Sequence, residues 1–509
     1  MIKCAYPNTI GNPVYFSTAV QYPAEDAVIE NGFIFADNHQ KLYYAPYELS
    51  GEYTAPDNIT EIGDCAFINC HDLTKVSFPK YLKTIGNRAF LDCDSLSSVS
   101  FNEEVKEIGD YAFAECMSLK SLILPSSIKK IGYRAFFQCK GMLKAAYPNT
   151  IEDPFPCSTT IGYDAVDSRI ENSFIFSRRK DRLYFAPIDI DEEYIVPDYV
   201  KTIGNNSFAY CSNLTSILIP NTIESIEDYS FKNCESLISV TIPNSITHLK
   251  TGLFSNCKNL KKIEIPDSLL SIGDHAFEKC YSLDSINIPN SVNWIGAFAF
   301  SQCSALNKVN IPDSITAINI GVFENCESLF EINIPSFVSE ISLYAFRFCK
   351  NLKSISIPNS VRIVREGAFE NCQMLDSITI GTNVTSLGDK VWLNCENIRT
   401  IFHKSHIPIN STSSIFEKKV FDEATLHIPY GTLSAFEEAT PWNLFLNIEE
   451  DSSESKIDNI IIPNQELDYS ADYEVFNLNG IKVSNSLQDL EPGAYIIRQK
   501  SIVKKISKQ

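Results

Sequence analysis

Cysteine is the residue type in this sequence whose spacing could support chemistry, because thiolates bind metals and pairs of thiols form disulfides. Thirteen of the 16 cysteines lie in two series with a constant step of 23 residues. They are Cys70, Cys93, Cys116, Cys139, Cys211, Cys234, Cys257, Cys280, Cys303, Cys326, Cys349, Cys372 and Cys395. A long column of identical residues fits neither the pairing of disulfides nor the clustered CxxC spacing of zinc sites. We therefore predict that these cysteines are buried and structural, each acting as a small apolar residue with a weak donor.

Histidines and carboxylates give little support for catalysis. His403 and His406 form the one close histidine pair, and we expect them in a surface loop rather than a metal site. Adjacent acidic residues such as Glu103 and Glu104 are predicted to lie on solvated faces. The sequence contains no G-x-S-x-G elbow, no phosphate-binding glycine loop and no HExxH motif. We predict that the protein is not an enzyme and has no cofactor and no metal site.

The charge balance restricts the classes of partner. The 43 basic and 63 acidic side chains give a formal charge of −20. Because this field repels phosphate backbones and anionic lipids, we expect no nucleic-acid partner. No run of about 18 apolar residues exists, which predicts no direct membrane span. The first residues, MIKCAYPNTIGNP, also lack the features of a secretory signal peptide.

The cysteine step belongs to a complete sequence repeat, for example IPDSLLSIGDHAFEKCYSLDSIN at residues 265–287. A phenylalanine stands three residues before each cysteine, except in the last unit, where Trp392 takes its place. Leucine stands three residues after most of the cysteines. One unit alone can bury little apolar surface, whereas stacked units bury a continuous column of Leu, Ile and Phe side chains. The repeat therefore predicts a solenoid.

Within one unit, two segments can be assigned. Residues 283–288 are rich in β-branched side chains and are followed by Pro289, which is typical of a short strand. Residues 272–277 are predicted to return the chain across the back of the coil, with Gly273 in a tight turn and Phe277 pointing inward.

Residues 283–303, LDSINIPNSVNWIGAFAFSQC, show the pattern L-x-x-I-x-I-P-x-S-I-x-x-I-G-x-x-A-F-x-x-C. This pattern resembles the BspA-like, or Treponema pallidum-type, leucine-rich repeat, and its units cover about three fifths of the chain. Single units depart from it, as where Asn102 and Gly381 replace the proline. The resemblance implies an α/β repeat solenoid, a leucine-rich-repeat right-handed coil with a parallel β-sheet on one face.

Two longer segments, residues 3–46 and 144–187, match each other at an offset of 141 residues. Each contains two aromatic runs around a polar turn, which predicts a β-hairpin insert, and similar inserts accompany the repeat in the family. An aromatic box for a sugar is the alternative, but aromatic residues in strands usually belong to the core. The same offset places Met1 on Met142, inside a coil, so we expect an upstream portion with a signal peptide.

The chain changes character after the last repeat. Residues 425–450 predict a strand, a short helix and a turn anchored by Trp442, and they resemble the closing segment of BspA-like proteins. Residues 473–483 and 490–509 predict two hairpins, with turns at Asn479-Gly480 and Pro492-Gly493, in a small β-sandwich. This region is similar to the C-terminal sorting domain of the type IX secretion pathway of Bacteroidetes, which implies export and surface display.

These observations predict seven segments along the chain. They are a partial coil with a β-hairpin insert (1–58), leucine-rich repeats (59–143), a second β-hairpin insert (144–199), leucine-rich repeats (200–402), a C-terminal cap (403–448), a linker (449–459) and a β-sandwich sorting-like domain (460–509).

The outward face of the parallel sheet is the candidate binding surface. Its central position is polar in successive coils, at Thr241, Glu264, Asn287, Asn310, Asn333, Ser356 and Thr379. Such a stripe, with a step of about 4.8 Å, could bind a protein surface or an extended polymer, or could be a ladder of side-chain hydrogen bonds that keeps the sheet soluble. Nearer the second insert the same position is apolar, at Ile123 and Leu218, and we expect residues 174–185 to cover it.

The resulting hypothesis is a secreted or cell-surface bacterial recognition protein. The resemblance implies that its solenoid binds host extracellular matrix proteins or partner cells and that it lies outside a Gram-negative bacterium. A glycan-binding surface module and a rigid structural spacer without its own ligand are the alternatives. Exposed rows of Tyr or Trp in the hairpins would favour the glycan-binding module.

Overall fold

The computed structural model describes two units, Met1–Glu450 and Asp451–Gln509. The described residues are 4–7, 19–36, 38–155 and 159–451, together with the strands at 474–476, 482–484, 493–499 and 502–508.

The first unit is a β-solenoid with two columns of short parallel strands. The front strands are Gly51–Thr54, Leu73–Ser77, Ser98–Ser100, Ser121–Ile123, Lys144–Pro148, Thr160–Tyr163, Glu193–Ile195, Ser216–Leu218, Ser239–Thr241, Lys262–Glu264, Ser285–Ile286, Lys308–Val309, Ser354–Ile357, Ser377–Ile380, Thr400–His403, Thr425–Ile428 and Asn447–Glu450. The side strands are Lys41–Tyr44, Glu61–Ile62, Thr84–Ile85, Glu107–Ile108, Lys130–Ile131, Arg182–Phe185, Thr202–Ile203, Ser225–Ile226, His248–Leu249, Ser271–Ile272, Trp294–Ile295, Ala317–Ile318, Glu340–Ile341, Ile363–Val364 and Ser386–Leu387. The solenoid prediction is confirmed, but the parallel pairing occurs on two faces of the coil rather than on one.

The register of the strands follows the 23-residue repeat. Val240, for example, is paired with Ile263 in the next coil. In the short front strands from Ser216–Leu218 to Lys262–Glu264 the middle residue is buried and its neighbours are more exposed, as for Ile263 between Lys262 and Glu264. This alternation allows a β-branched side chain to enter the core while the outer face stays polar.

The back of each coil is built from turns. In all thirteen units the residues five and one before the cysteine have positive φ, for example His275 at 56° and Lys279 at 62°. Three backbone N–H groups of this segment donate to carbonyl oxygens of the next coil. In the unit of Cys280 they belong to His275, Phe277 and Lys279, with distances of 2.9, 2.8 and 2.8 Å. The positions with positive φ are therefore fixed by a ladder of backbone hydrogen bonds on the back of the coil, in addition to the ladders of the front and side strands.

Gly273 has a different role from the predicted one. Its φ is not in the left-handed region, but a Cβ atom there would lie 2.8 Å from the carbonyl carbon of Lys250 and 2.9 Å from the oxygen of Leu249. The glycine thus permits close approach to the preceding coil, while the turn that follows is made by other residues.

Phenylalanine rings form the centre of the core. The rings form two stacks, and we call each stack, together with the coils that carry it, an array. Within each array, consecutive rings are nearly parallel, with interplanar angles of 16° or less and centroid distances from 4.7 to 6.2 Å. The members are Phe67, Phe90, Phe113 and Phe136 in the first array, and Phe208, Phe231, Phe254, Phe277, Phe300, Phe323, Phe346, Phe369, Trp392 and Phe416 in the second. The predicted inward phenylalanines of the repeat are buried.

Each insert contributes antiparallel strands that precede a side strand. They are Ala27–Glu30 and Phe33–Ala36 in the first insert, and Ser168–Glu171 and Phe174–Ser177 in the second; Cys4–Pro7 with Ala19–Tyr22 forms a separate parallel pair. The aromatic side chains of these strands pack inward. Phe35 and Phe176 are buried, and Phe174 stacks on Tyr194 at 5.2 Å. This packing favours the core interpretation over a sugar-binding box.

The two arrays meet around a buried lysine. Lys144 is completely inaccessible, and its Nζ donates to the carbonyl oxygens of Ala186 and Ser207 at 2.7 and 2.6 Å. Burial lowers the pKa of Lys144 to about 8. The two carbonyl groups compensate in part for the lost hydration of the ammonium group.

Helix is scarce in the described residues and is confined to short elements. These are the α-helices Lys418–Glu423 and Leu433–Glu438 and the 3₁₀-helices Ala24–Asp26, Ser413–Ile415 and Trp442–Leu444. Trp442 is fully buried, and its Nε1 donates to the Ile409 carbonyl at 2.8 Å. The four elements between Ser413 and Leu444 cover the last stacked rings of the second array, where Phe421 and Trp442 pack edge-on against Phe416, as a solenoid cap must.

The described strands of the second unit form one antiparallel sheet. In sheet order they are Lys482–Ser484, Glu474–Phe476, Gly493–Gln499 and Ile502–Lys508. The last two form a hairpin whose strand begins at Gly493, so Pro492-Gly493 is not its turn. The predicted Asn479-Gly480 turn lies outside the described residues, and the sandwich remains a prediction.

Candidate protein-binding face

The front face consists of the outward side chains of the front strands. Of the seven predicted site residues, Thr241, Glu264, Asn287, Asn310, Asn333 and Ser356 are exposed, and Thr379 is half-buried. The parallel pairing of Thr241 with Glu264 and of Ser356 with Thr379 places successive members one coil apart. The stripe therefore exists as a surface feature, and its role in binding stays a prediction.

Two members of the stripe are joined through a carboxylate. Thr241 Oγ1 donates to Glu264 Oε2 at 3.2 Å, and Lys262 Nζ donates to Oε1 of the same residue at 2.8 Å. The hydrogen bond from Lys262, followed by that from Thr241, holds the pKa of Glu264 below its usual value. This part of the face is a small charged network that stays ionised at neutral pH.

Asn310 has a structural role that its position did not predict. Its Nδ2 donates to the Ile288 carbonyl at 2.7 Å, and its Oδ1 accepts from the Ile288 N–H at 3.0 Å. The side chain thus replaces a backbone ladder contact between two coils. For this residue the structure supports the interpretation of the stripe as internal hydrogen bonding.

The front sheet is interrupted in the same region. Pairing extends from Glu193–Ile195 to Lys262–Glu264, continues as a separate pair at Ser285–Ile286 and Lys308–Val309, and resumes at Ser354–Ile357. Within the described residues, no strand is assigned at 331–334, the coil that carries Asn333. The asparagine part of the stripe therefore lies where the front sheet is discontinuous.

An exposed apolar patch precedes the polar stripe. Ile195 and Leu218 are register partners and are 68% and 60% exposed, and Ile238, which immediately precedes the next front strand, is 52% exposed. The second insert was expected to cover this column. It does so for Ile123, which packs against the cluster containing Phe185, but not for Leu218. Large exposed apolar side chains grouped on one sheet are typical of interaction surfaces.

The cysteine column supplies no reactive group to this face. All thirteen cysteines are buried, and each Sγ donates to a carbonyl of the preceding coil at 3.0 to 3.5 Å. Burial raises the pKa of Cys211 to about 11 and that of Cys280 well above its ordinary value. The prediction of a buried structural column is confirmed. In the described ranges, no group of three or more His, Cys, Asp or Glu side chains could hold a metal ion.

The histidine pair was predicted in a surface loop, which is wrong for one of its members. His406 is exposed, but His403 is 1% exposed and lies 4.8 Å from the rings of both Phe436 and Trp442. His403 occupies the repeat position of Ile380 and Ile357, which points into the core. Its register could therefore have revealed its burial.

The repeat region of the chain matches a known protein family. The family model of the BspA-type leucine-rich repeat region matches residues 42–154, 189–307 and 293–427, in six copies. The chain belongs to the BspA-type leucine-rich repeat family. A BspA-type chain is a repeat module, and proteins built in this way act through extended surfaces for macromolecular interaction.

Three solved structures are similar to this BspA-type chain. A leucine-rich repeat protein from Bacteroides ovatus is 24% identical, with 74% of this chain and 91% of that chain covered and a TM-score of 0.42. One from Eubacterium ventriosum is 23% identical, with coverages of 67% and 92% and a TM-score of 0.37. A leucine rich cell surface protein from Faecalibacterium prausnitzii is 22% identical, with coverages of 74% and 94% and a TM-score of 0.29.

No curated protein matches the BspA-type chain. Within the described part of the chain, no helix combines the length and apolar composition required to cross a membrane.

Proposed function

We propose that this protein is a secreted or cell-surface bacterial recognition protein whose front face binds an extracellular matrix protein or a surface protein of a partner cell. One observation carries the proposal: the exposed Ile195 and Leu218 lie on the same sheet as Thr241 and Glu264, the first two members of the polar stripe. An apolar centre beside polar and charged side chains is the usual composition of a protein-binding surface.

The two alternatives have less support. A glycan-binding box in the hairpins would need exposed aromatic rows, but Phe35, Phe176 and Phe185 are buried. A rigid spacer would need a stripe whose side chains are all engaged internally, and Asn310 meets that condition. The exposed Ile195 and Leu218 are not explained by a spacer, because a surface without a partner gains nothing from exposed apolar groups.

The test is binding of the purified chain to immobilised extracellular matrix proteins and glycans at physiological salt. We expect saturable binding to one protein, reduced about tenfold or more in an Ile195→Glu, Leu218→Glu variant, because the charges oppose desolvation of the patch. The matched control places the same charges at Phe337 and Ile407, which are 67% and 76% exposed. Equal binding by all three proteins would place the site elsewhere.

The polar stripe is tested by a separate variant. Asn287→Lys with Asn333→Lys changes two exposed members and leaves the Asn310 contact with Ile288 intact. Loss of binding in this variant, with an unchanged melting temperature, would extend the site along the stripe.

Surface localisation is part of the same proposal. The similarity of residues 460–509 to a type IX sorting domain supports export in a Gram-negative bacterium of the Bacteroidetes. Expressed behind a signal peptide in a host with that pathway, the full chain should be accessible to added protease, and a chain lacking residues 460–509 should not.

A further inference from the structure

A second exposed surface, on the first array, carries a row of lysines that the front face does not use. Lys83, Lys106 and Lys129 each precede a side strand in three consecutive coils, and Lys130 begins the third of these strands. The Lys106 N–H donates to the Lys83 carbonyl and the Lys129 N–H to the Lys106 carbonyl, each at 2.8 Å. These four residues, the lysine row, are therefore direct neighbours across one backbone ladder.

The fold places the four lysines of the row next to each other although their positive charges repel. All four side chains are exposed, and none forms an ion pair or side-chain hydrogen bond with another described residue. Adjacent strands are about 4.8 Å apart, and like charges directly opposite each other destabilise a sheet.

In the second array, the equivalent position carries an ion pair instead of two neighbouring lysines. There Lys201 neighbours Glu224, and Lys201 Nζ lies 3.6 Å from Glu224 Oε1. At the positions 141 residues earlier, Thr60 neighbours Lys83. The same fold thus accepts a paired charge at this ladder, so the uncompensated lysines of the first array are not required by the coil geometry.

Acidic residues near the lysine row only partly balance it. Glu107 is the register partner of Lys130. Glu103 Oε2 accepts from Ser126 N and Oγ at 3.1 and 2.6 Å. Glu104 is exposed. The lysine row remains a local positive surface on a chain whose formal charge is −20.

Exposed tyrosines flank the lysine row at both ends. Tyr81 is 54% exposed with Lys80 Nζ 5.4 Å from its ring centroid, and Tyr133 is 63% exposed with Arg134 Cζ 5.0 Å from its ring centroid. A basic surface bordered by flat aromatic rings offers both ionic contacts and a stacking platform.

We propose that the lysine row binds an extended acidic polysaccharide through carboxylate or sulfate groups. The coil step of about 4.8 Å is close to the length of one sugar residue in an extended chain, so regularly spaced anionic sugars can meet successive lysines. The surface and the ligand class both differ from those of the front-face proposal.

The test uses the full chain and three immobilised polysaccharides: heparin, hyaluronan and neutral dextran. The parent protein should bind heparin, hyaluronan or both, more weakly at higher salt, and should not bind dextran. Preference for heparin identifies sulfate as the recognised group, and binding to hyaluronan identifies carboxylate. The variant Lys83→Gln, Lys106→Gln, Lys129→Gln should lose about tenfold or more in affinity and show a shallower salt dependence.

A control variant with the same change in net charge is Lys250→Gln, Lys261→Gln, Lys353→Gln, all at exposed positions of the second array that lie outside the front strands. It should bind as the parent does. The lysine-row variant should melt at the same or a higher temperature, because repulsion is relieved. The proposal is overturned if neither anionic polysaccharide binds, if dextran binds equally, or if both variants lose affinity alike. A lower melting temperature of the lysine-row variant, or tight binding of poly-glutamate without polysaccharide binding, would also overturn it.

Discussion

At the scale of single residues, the cysteines show how a reactive side chain becomes structural. The thiol of Cys280 is fully buried, and its Sγ donates to the Phe254 carbonyl at 3.2 Å. The same carbonyl already accepts from the Cys257 N–H at 3.1 Å within its own coil, so the thiol of the next coil donates to its second lone pair while filling a small apolar space. This explains why the residue type recurs with the coil and not with any chemical motif.

Burial of the thiols predicts a pattern of alkylation. In the native chain, iodoacetamide should modify half-buried Cys65, whereas Cys280 and the other cysteines of the 23-residue step should stay protected, because burial disfavours the reactive thiolate. Mass spectrometry of labelled peptides measures this site by site, with guanidinium-unfolded chain as the fully reactive control. Labelling of native Cys280 at the rate of Cys65 would contradict the account.

His403 is a second residue whose surroundings decide its chemistry. Burial among aromatic rings lowers its pKa to about 4, and a hydrogen bond from Nδ1 to the Ser405 carbonyl, 3.2 Å away, opposes this shift only in part. An unfolded histidine has a pKa of about 6.5. The stabilisation is therefore complete above about pH 6.5 and is lost as the pH falls through about 4.

We predict that a His403→Ile variant resists acid better than the parent, because isoleucine fills this position in the preceding coils. The parent's disadvantage should grow below pH 6 and approach about 3 kcal/mol when the imidazole is fully protonated. Urea unfolding from pH 7 to pH 4 measures the difference, with His406→Gln as the exposed control. Parallel pH profiles of parent and His403→Ile would show that His403 does not titrate as described.

At the scale of elements, the front strands and the inward phenylalanines could be predicted because they repeat with apolar and β-branched residues. The side sheet could not, because strands such as Ser271–Ile272 have two residues and show no alternation. Its pairing depends on the left-handed turns that follow, and these are filled by residues as different as His275, Phe298 and Lys279. Sequence gives little indication of positive φ when glycine is absent.

Part of the candidate site could also be predicted from the repeating pattern of apolar and polar residues. The exposure of Asn287 and Asn333 follows from the alternation of apolar and polar residues in the sequence repeat. The contact of Asn310 with Ile288 depends on a local opening of the ladder, and the exposure of Leu218 depends on how far the insert reaches. Both are tertiary features that no local pattern encodes.

The stacked rings predict how stability is distributed along the solenoid. Phe300→Ala should cost about 3–5 kcal/mol, since it leaves a cavity between Phe277 and Phe323, whose ring centroids lie 5.4 and 5.6 Å away. Phe330→Ala, at a 43% exposed position, should cost about 1 kcal/mol or less. Denaturant unfolding measures both. Similar losses for the two variants would mean that the ring column is not the main source of cohesion.

At the scale of the whole molecule, one repeat serves as both core and surface. The inner positions of the coils are nearly invariant along the chain, while the outward positions differ from coil to coil. The first array carries the lysine row, and the front face of the second array carries the apolar patch and the polar stripe. Selection for partners can therefore act on outward residues without disturbing the stacked interior.

The central claim is that the front face of the second array contacts a protein ligand. The direct measurement is hydroxyl-radical footprinting of the chain, with and without the matrix protein that the binding panel identifies. Oxidation of Ile195, Leu218 and Ile238 should fall in the complex, while Phe337 and Ile407 keep their reactivity. Protection confined to the hairpin inserts or the lysine row, with Ile195 and Leu218 unchanged, would contradict the claim.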